Sequence, residues 1–508
     1  MSTSVLSFAL SGIEGFLVNV EVNVLAGPPS TAVVGLGDAA VQEAADRIES
    51  ALLHCQFEFP RRKIVYNLAP SHRRKSGTHF DLAMALALLF HTDQAALPKQ
   101  SFGCIGELAL DGELRPVTGV LPMADAAQKA GLDGLIVPAA NLAEANLVPV
   151  PVYAFHRLEH IIHFLRQPDS YNPPNHSLPR RNVEVPLDFA DVQGQEGLSP
   201  YIAAAAAGGH NLLMIGSPGC GKSMIAQRIP GILPPMTEEE ALEVTKIHSV
   251  AGRLGDKSAF LAERPFRSPH HNASVNALIG GGTAAMPGEI SLAHHGLLFL
   301  DEVAQFSKQA LNALRQPLEE HKVTISRVQT SNTYPCQFML VAAMNPCPCG
   351  HYGRGECQCR KEAIVRFRHR ISGPILDRID IQKNVAPLSF RNLVDPKPGI
   401  SSQVLRDQVV AARELQKQRF AGMPGVHCNA QIPAGCVREL CPVDTSGIKL
   451  LHKAFDNFGY SARSYHKFLR MARTFADLDH SPAIRQQHIA SALFARDMDK
   501  DTWKLVAL

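Results

Sequence analysis

Residues 211–229 read NLLMIGSPGCGKSMIAQRI, and this stretch decides the fold. An apolar strand, Asn211–Ile215, runs into the pattern Gly216-x-x-x-x-Gly221-Lys222-Ser223, and a helical pattern follows. Glycines let such a loop wrap a phosphate with its backbone N–H groups pointing inward. The helix behind it adds the positive end of its dipole. Gly216, Ser217, Pro218, Gly219, Cys220 and Gly221 form the expected cradle. Lys222 is placed to reach the β- and γ-phosphates, and the Ser223 hydroxyl to ligate Mg²⁺. The expected cofactors are ATP and Mg²⁺.

Working outward, a second strand signal lies at GLLFLDEV, residues 296–303. Apolar Leu297–Leu300 reads as a buried strand whose end delivers Asp301 and Glu302 to a loop edge, where ligands of open α/β sheets bind. Asp301 is expected to hold the Mg²⁺ shell and Glu302 to polarise the attacking water. A third strand, Phe338–Met344, ends in Asn345, a neutral amide suited to position that water or read the γ-phosphate. From about residue 188 to 388 the chain repeats strand, loop and helix, which suits a parallel sheet flanked by helices.

The flanking regions read differently. Residues 1–166 mix alternating stretches such as FLVNVEVNVLAG with helical ones such as FDLAMALALLF. Residues 167–187 are rich in Pro, Asn and Ser and read as a linker. Residues 389–508 carry helical periodicity, as in SQVLRDQVVAARELQKQRF. The chain has 508 residues, too many for one compact core, so several domains are expected. Hydrophobic residues make up 45% and charged residues 19%, an ordinary globular balance. A net charge of +3 supplies no global field for nucleic acid, so any such contact must use local basic clusters. No signal peptide and no run of ~20 apolar residues is present, so no membrane partner is expected. Eleven cysteines, one of them inside the phosphate loop, favour a reducing compartment and a cytoplasmic location.

Four of those cysteines crowd into Cys347-Pro-Cys349 and Cys357-Gln-Cys359 around the loop GHYGRGE. Four thiolates suit a tetrahedral zinc site, although one residue rather than two separates each pair. His351 is an alternative ligand, and unrelated reduced thiols are the competing reading.

The order RPFRSPHH, GGGTAAMPGEISLAHHGLLFLDE, VAAMNPCPCG and ISGPILDRID resembles the magnesium-chelatase-like branch of AAA+ proteins, and most closely the YifB/ComM family. The resemblance covers essentially the whole chain. It implies a Lon-protease-like α+β domain over 1–166, an AAA+ α/β domain over 188–388 with a cysteine-rich insert at 347–359, and a helical lid over 389–508. It further implies a homo-hexameric ring acting on single-stranded or branched DNA. The implied activity is an ATP-driven helicase promoting branch migration during natural transformation. The alternative is a chelatase-type motor that remodels a protein or supports metal insertion, although such subunits lack the first domain.

The same resemblance places Asn345 at the sensor-1 position, Arg378 at the arginine finger and Arg463 at the sensor-2 arginine, with Arg370 as second choice for the finger. Planar guanidinium groups suit the charge that develops on a transferring phosphoryl group. In the Lon-like segment, the family's serine position falls on His79 and its lysine position on Pro122. Ser76 and Lys75 are out of register, so the domain is expected not to hydrolyse peptides. Two loops are candidates for DNA: Gly280–Gly282, expected to be mobile, and the hairpin VTISRVQTSNTYP with Arg327. The basic clusters Arg61–Lys63 and His72–Lys75 are weaker candidates. His270, His271, His294 and His295 are expected to position loops around the nucleotide pocket.

Overall fold

The computed structural model describes residues 3–176, 178, 187–254, 260–327, 331–352, 357–387 and 399–498. Residues 177 and 179–186 of the expected linker, the hairpin tip at 328–330, insert residues 353–356 and the expected boundary at 388 lie outside the described residues.

Two sheets organise the chain. The first has seven strands in the order Ser30–Val34, Lys63–Ala69, Glu14–Leu25, Thr3–Ser11, Phe102–Cys104, Gly134–Pro138, Val152–Phe155. It is mixed: the first hairpin is antiparallel, while the last three strands run parallel. Helix Asp81–His91 lies against it with Asp81 through Phe90 all buried, which is why its sequence is apolar all round.

The second sheet has five parallel strands in the order Phe266–Arg267, Leu297–Leu300, Met339–Met344, Leu212–Ile215, Ile381–Asn384. Leu212–Ile215, Leu297–Leu300 and Met339–Met344 are wholly buried, the continuous apolar runs of strands covered on both faces. This is the AAA+ α/β domain.

One face of that sheet is covered by helix Ser199–Gly208, whose alanines let helices Ser402–Arg419 and Ala462–Leu478 approach closely. The C-terminal helices therefore share a continuous core with the sheet. Asp477 is fully buried among them, and Arg419, Arg473 and Asn429 all donate to it. The chain ends of this unit also clasp the edge strand, with Gln382 N donating to Ala495 O at 2.7 Å.

The two sheets meet through helix Val120–Lys129, which packs on helix Glu238–Val250. Lys246 Nζ donates to Asp125 at 2.8 Å across this contact. No helix among the described residues is long and apolar enough to cross a membrane.

Candidate functional site

The phosphate loop leaves strand Leu212–Ile215 and enters helix Lys222–Arg228. Gly221, at the N-cap, has φ +89°, the left-handed region that a side chain resists. A Cβ placed on Gly219 or Gly221 would meet nothing within 4 Å, so the loop opens onto free space. Lys222 is buried and its Nζ donates to Gly216 O at 2.7 Å, Ser217 O at 3.0 Å and Asn345 Oδ1 at 3.4 Å. Ser223 Oγ donates to Asp301 Oδ2 at 2.8 Å. Adjacent ligands of an octahedral Mg²⁺ at ~2.1 Å lie roughly 2.9 Å apart, so this oxygen pair fits the ion.

Strand order explains the convergence. Leu297–Leu300 pairs with Met339–Met344, which pairs with Leu212–Ile215, all in the same direction. Their carboxyl ends therefore set Asp301, Asn345 and the phosphate loop side by side. Glu302 adopts φ +47°, an uncommon left-handed conformation for a residue with a side chain. Its N–H donates to Asp301 Oδ1 at 2.9 Å, and Gln305 Nε2 donates to its carboxylate at 2.7 Å. Gln305 carries no motif signal and was not anticipated from sequence.

Arg378 and Arg463 lie elsewhere. Asn211, at the start of the phosphate-loop strand, donates through Nδ2 to the Arg378 carbonyl at 2.8 Å. About five residues of extended chain, roughly 16 Å, separate Asn211 from Gly216. Both arginines instead meet on Glu319, in the short helix Pro317–Glu320. Arg378 first, then Arg463, holds the Glu319 carboxyl below the usual carboxylate range. The helical unit thus brings Arg463 to the sheet end opposite its own phosphate loop, not over it. Sequence reasoning missed Glu319, because PLEE reads as an ordinary helical turn. Arg370 lies over the Phe367 ring, 5.9 Å from its centroid.

A cavity of about 490 Å³ opens beside them, lined by Arg378, Arg413, Arg463, Lys467 and Arg470. The buried Nε atoms of Arg378, Arg413 and Arg470 have no hydrogen-bond acceptor among the described residues. The same cavity is also lined by Glu240, Glu319, Asp377 and Asp380, so cations and carboxylates are interleaved there.

The histidine expectation needs correction. His294 and His295 precede strand Leu297–Leu300, so they sit at the end of the sheet away from the phosphate loop. His294 Nδ1 accepts from Gln337 N at 2.9 Å, which leaves its proton on Nε2, facing Glu243 at 3.1 Å. Those two histidines hold the Glu243 carboxyl far below its usual range. With one ring nitrogen occupied and the other protonated, His294 has no lone pair for a metal. His270 and His271 follow the edge strand Phe266–Arg267 with ring centroids 4.1 Å apart, and His270 is exposed.

The two candidate DNA loops form one surface. Gly280–Gly281 pairs antiparallel with Met286–Pro287, and Lys322–Ser326 with Ser331–Pro335. Tyr334 OH donates to Ala285 O at 2.9 Å, and Arg327 lies beside Gly281. A Cβ on Gly280 would lie 2.2 Å from Met286 O, so this glycine serves close packing, while Gly282, at φ +78°, meets nothing within 4 Å.

In the first domain, His79 is buried and its Nε2 lies 2.8 Å from Phe8 O. Pro122 sits within helix Val120–Lys129. Lys75 is buried against Gly35 O at 3.0 Å. No serine meets a lysine here among the described hydrogen bonds. Burial pulls the His79 ring down to about 4. A histidine neutral in the fold and free to charge when unfolded gives stability that is full above about pH 6.5 and lost as pH falls toward about 4. His79→Gln keeps a donor for Phe8 O and removes the titration. The wild type should lose ~3 kcal/mol relative to the variant across that window. Thermal unfolding of both proteins at several pH values measures it, and parallel curves would refute it. Asp81, pushed up to about 6 by burial, trends the opposite way but equally in both proteins.

The four clustered sulfurs of Cys347, Cys349, Cys357 and Cys359 all lie within 4.8 Å of one another. His351 is not part of that group.

Comparison with known proteins agrees with this architecture. The family model "Magnesium chelatase, subunit ChlI" matches residues 188–393, "Subunit ChlI of Mg-chelatase" matches 20–141, and "Magnesium chelatase, subunit ChlI C-terminal" matches 399–496. The competence protein ComM of Haemophilus influenzae is 40% identical over 511 residues, covering 99% of this chain and 98% of the relative. The YifB protein of Escherichia coli is 39% identical, covering 97% and 96%. Lon protease 3 of Sorangium cellulosum is 26% identical over 201 residues, 36% of this chain and 24% of the relative. With a parallel AAA+ sheet, a Lon-like first domain and relatives matched end to end, the chain belongs to the YifB/ComM family of magnesium-chelatase-like AAA+ ATPases.

Proposed function

We propose that this chain is a ring-forming DNA translocase driven by ATP hydrolysis, promoting branch migration during recombination of incoming DNA. The reading takes residues 1–166 as a non-proteolytic platform, 188–388 as the motor and 389–508 as a helical unit that completes a neighbour's site. It takes ATP and Mg²⁺ as cofactors.

The observation that carries it is the joined surface of the Gly280–Pro287 loop and the Lys322–Pro335 hairpin. Both leave the same α/β domain that holds the phosphate loop. In a ring, six copies of Arg327 and Lys322 would give a phosphate-contacting track without a high net charge. The competence role printed for the Haemophilus influenzae relative points the same way.

Assembly is part of the reading. Lys222, Ser223, Asp301, Glu302 and Asn345 bind and prepare the triphosphate in one subunit. Arg378 and Arg463 stand too far from them to act on it. A second subunit, presenting its Arg378 and Arg463 to the first, would supply the missing charge.

The test is ATP turnover with and without single-stranded DNA, beside the size of the assembly with nucleotide. DNA should raise turnover several-fold in a hexamer-sized particle. Turnover indifferent to every DNA form would sink the translocase reading while leaving an ATPase.

A further inference from the structure

We infer that Cys347, Cys349, Cys357 and Cys359 bind one structural zinc ion, and that this ion fixes the position of the phosphate loop. The inference stands apart from any action on DNA.

The sulfurs are spaced as ligands of one ion. Cys347 Sγ lies 3.3 Å from Cys349 Sγ and 3.8 Å from Cys357 Sγ, and the last two are 3.7 Å apart. All four cysteines are free. A disulfide would need ~2.05 Å. Thiolates bound to zinc at ~2.3 Å in a tetrahedron lie about 3.8 Å from each other. The sulfurs therefore bracket one ion-sized centre. A cluster of several irons would hold its thiolates farther apart than this.

The surroundings suit a metal as well. Tyr352 N–H points at Cys347 Sγ at 3.3 Å, a donor that stabilises negative charge on sulfur. Cys347 is buried while Cys349 is exposed, so the centre has a protected side and an entry side. Four protein thiolates fill the tetrahedron, so no position remains for substrate, and the ion's role is structural.

What it holds in place follows from the chain path. Cys347 and Cys349 come directly after Asn345, at the end of strand Met339–Met344. Cys357 and Cys359 lead into helix Lys361–Arg368. From that helix, Arg368 Nε donates to Pro346 O at 3.3 Å, and its guanidinium lies 5.1 Å from the Tyr352 ring centroid. Joining these segments traps Gly350 between them. A Cβ on Gly350 would lie 2.6 Å from Pro218 Cδ, inside the phosphate loop. The thiolate loop thus touches the cradle on one side and continues Asn345 on the other. Losing the ion would free both contacts.

Protein purified without added zinc should carry one zinc per chain by elemental mass spectrometry. Cobalt exchanged into it should give the intense absorption of tetrahedral thiolate coordination. Cys349→Ser, at the exposed ligand, and Cys359→Ser should each lose the metal. Metal-free protein should bind a fluorescent ATP analogue about tenfold more weakly. Gly350→Ala keeps every thiol but adds a methyl group, at a left-handed position with φ +82°, directed at Pro218, so it should retain zinc and still bind the analogue weakly. Zinc near zero in folded, ATP-binding protein would overturn the site. Full zinc in Gly350→Ala with unaltered nucleotide affinity would overturn the coupling. Because the metal count does not depend on nucleotide, a failure of ATP binding in the wild type is told apart from both.

Discussion

Glu302→Gln is expected to cut ATP turnover by about 10²–10⁴-fold while leaving nucleotide binding nearly unchanged. The substitution keeps the shape of the side chain and removes its capacity to take a proton. Binding rests on other groups: the open loop between Gly216 and Gly221, the Lys222 ammonium and the Ser223–Asp301 oxygen pair. Gln305 Nε2 donates to the Glu302 carboxylate, and an amide oxygen at the same place accepts that bond equally. The strained backbone at Glu302, φ +47°, is untouched by the change. Lys222→Ala should behave in the opposite way and lose affinity first, because it removes the one ammonium inside the loop that would bind phosphate. The two variants together separate a defect in turnover from a defect in binding. Turnover by Glu302→Gln at the wild-type rate would place the base on another residue.

The phosphate loop was legible in the sequence because its eight residues are contiguous and their chemistry is local. Asp301 and Asn345 were legible for a different reason. Each ends a strand of buried apolar residues, and parallel strands deliver such ends to one edge. What could not be read depends on how distant segments pack. Glu319 joins Arg463 across 144 residues, and nothing in either segment announces the meeting. The placement of His294 and His295 failed because closeness in sequence to Asp301 is not closeness in space. One strand, Leu297–Leu300, carries the chain from one end of the sheet to the other. The packing role of Gly280 was hidden similarly, because a glycine needed for close packing looks in sequence like any other loop glycine.

Rings assembled from Arg378→Ala subunits alone, or from Glu302→Gln subunits alone, should be nearly inactive, yet mixed rings should regain hydrolysis. Loss of an arginine finger costs about 10³–10⁵-fold, so any restored site stands far above background. Arg378 lies level with Asn211, a strand length below its own Gly216, and no side chain spans that gap. In a mixed ring, a subunit with intact Glu302 can sit beside one with intact Arg378, and that junction is complete. If Arg378 served its own subunit, every site in the mixture would lack one group or the other. Arg463 shares Glu319 with Arg378, so Arg463→Ala should be rescued by the same partner. Glu319 then has two tasks that pull in different directions. It holds both cations in register, and it competes with incoming phosphate for them. Glu319→Gln relaxes the competition and keeps the shape, so it should lower the nucleotide concentration needed for assembly while slowing turnover through looser arginines. Mixed rings that stay inactive at every ratio would remove the basis for a shared site and, with it, the reason for two arginines to converge so far from their own nucleotide.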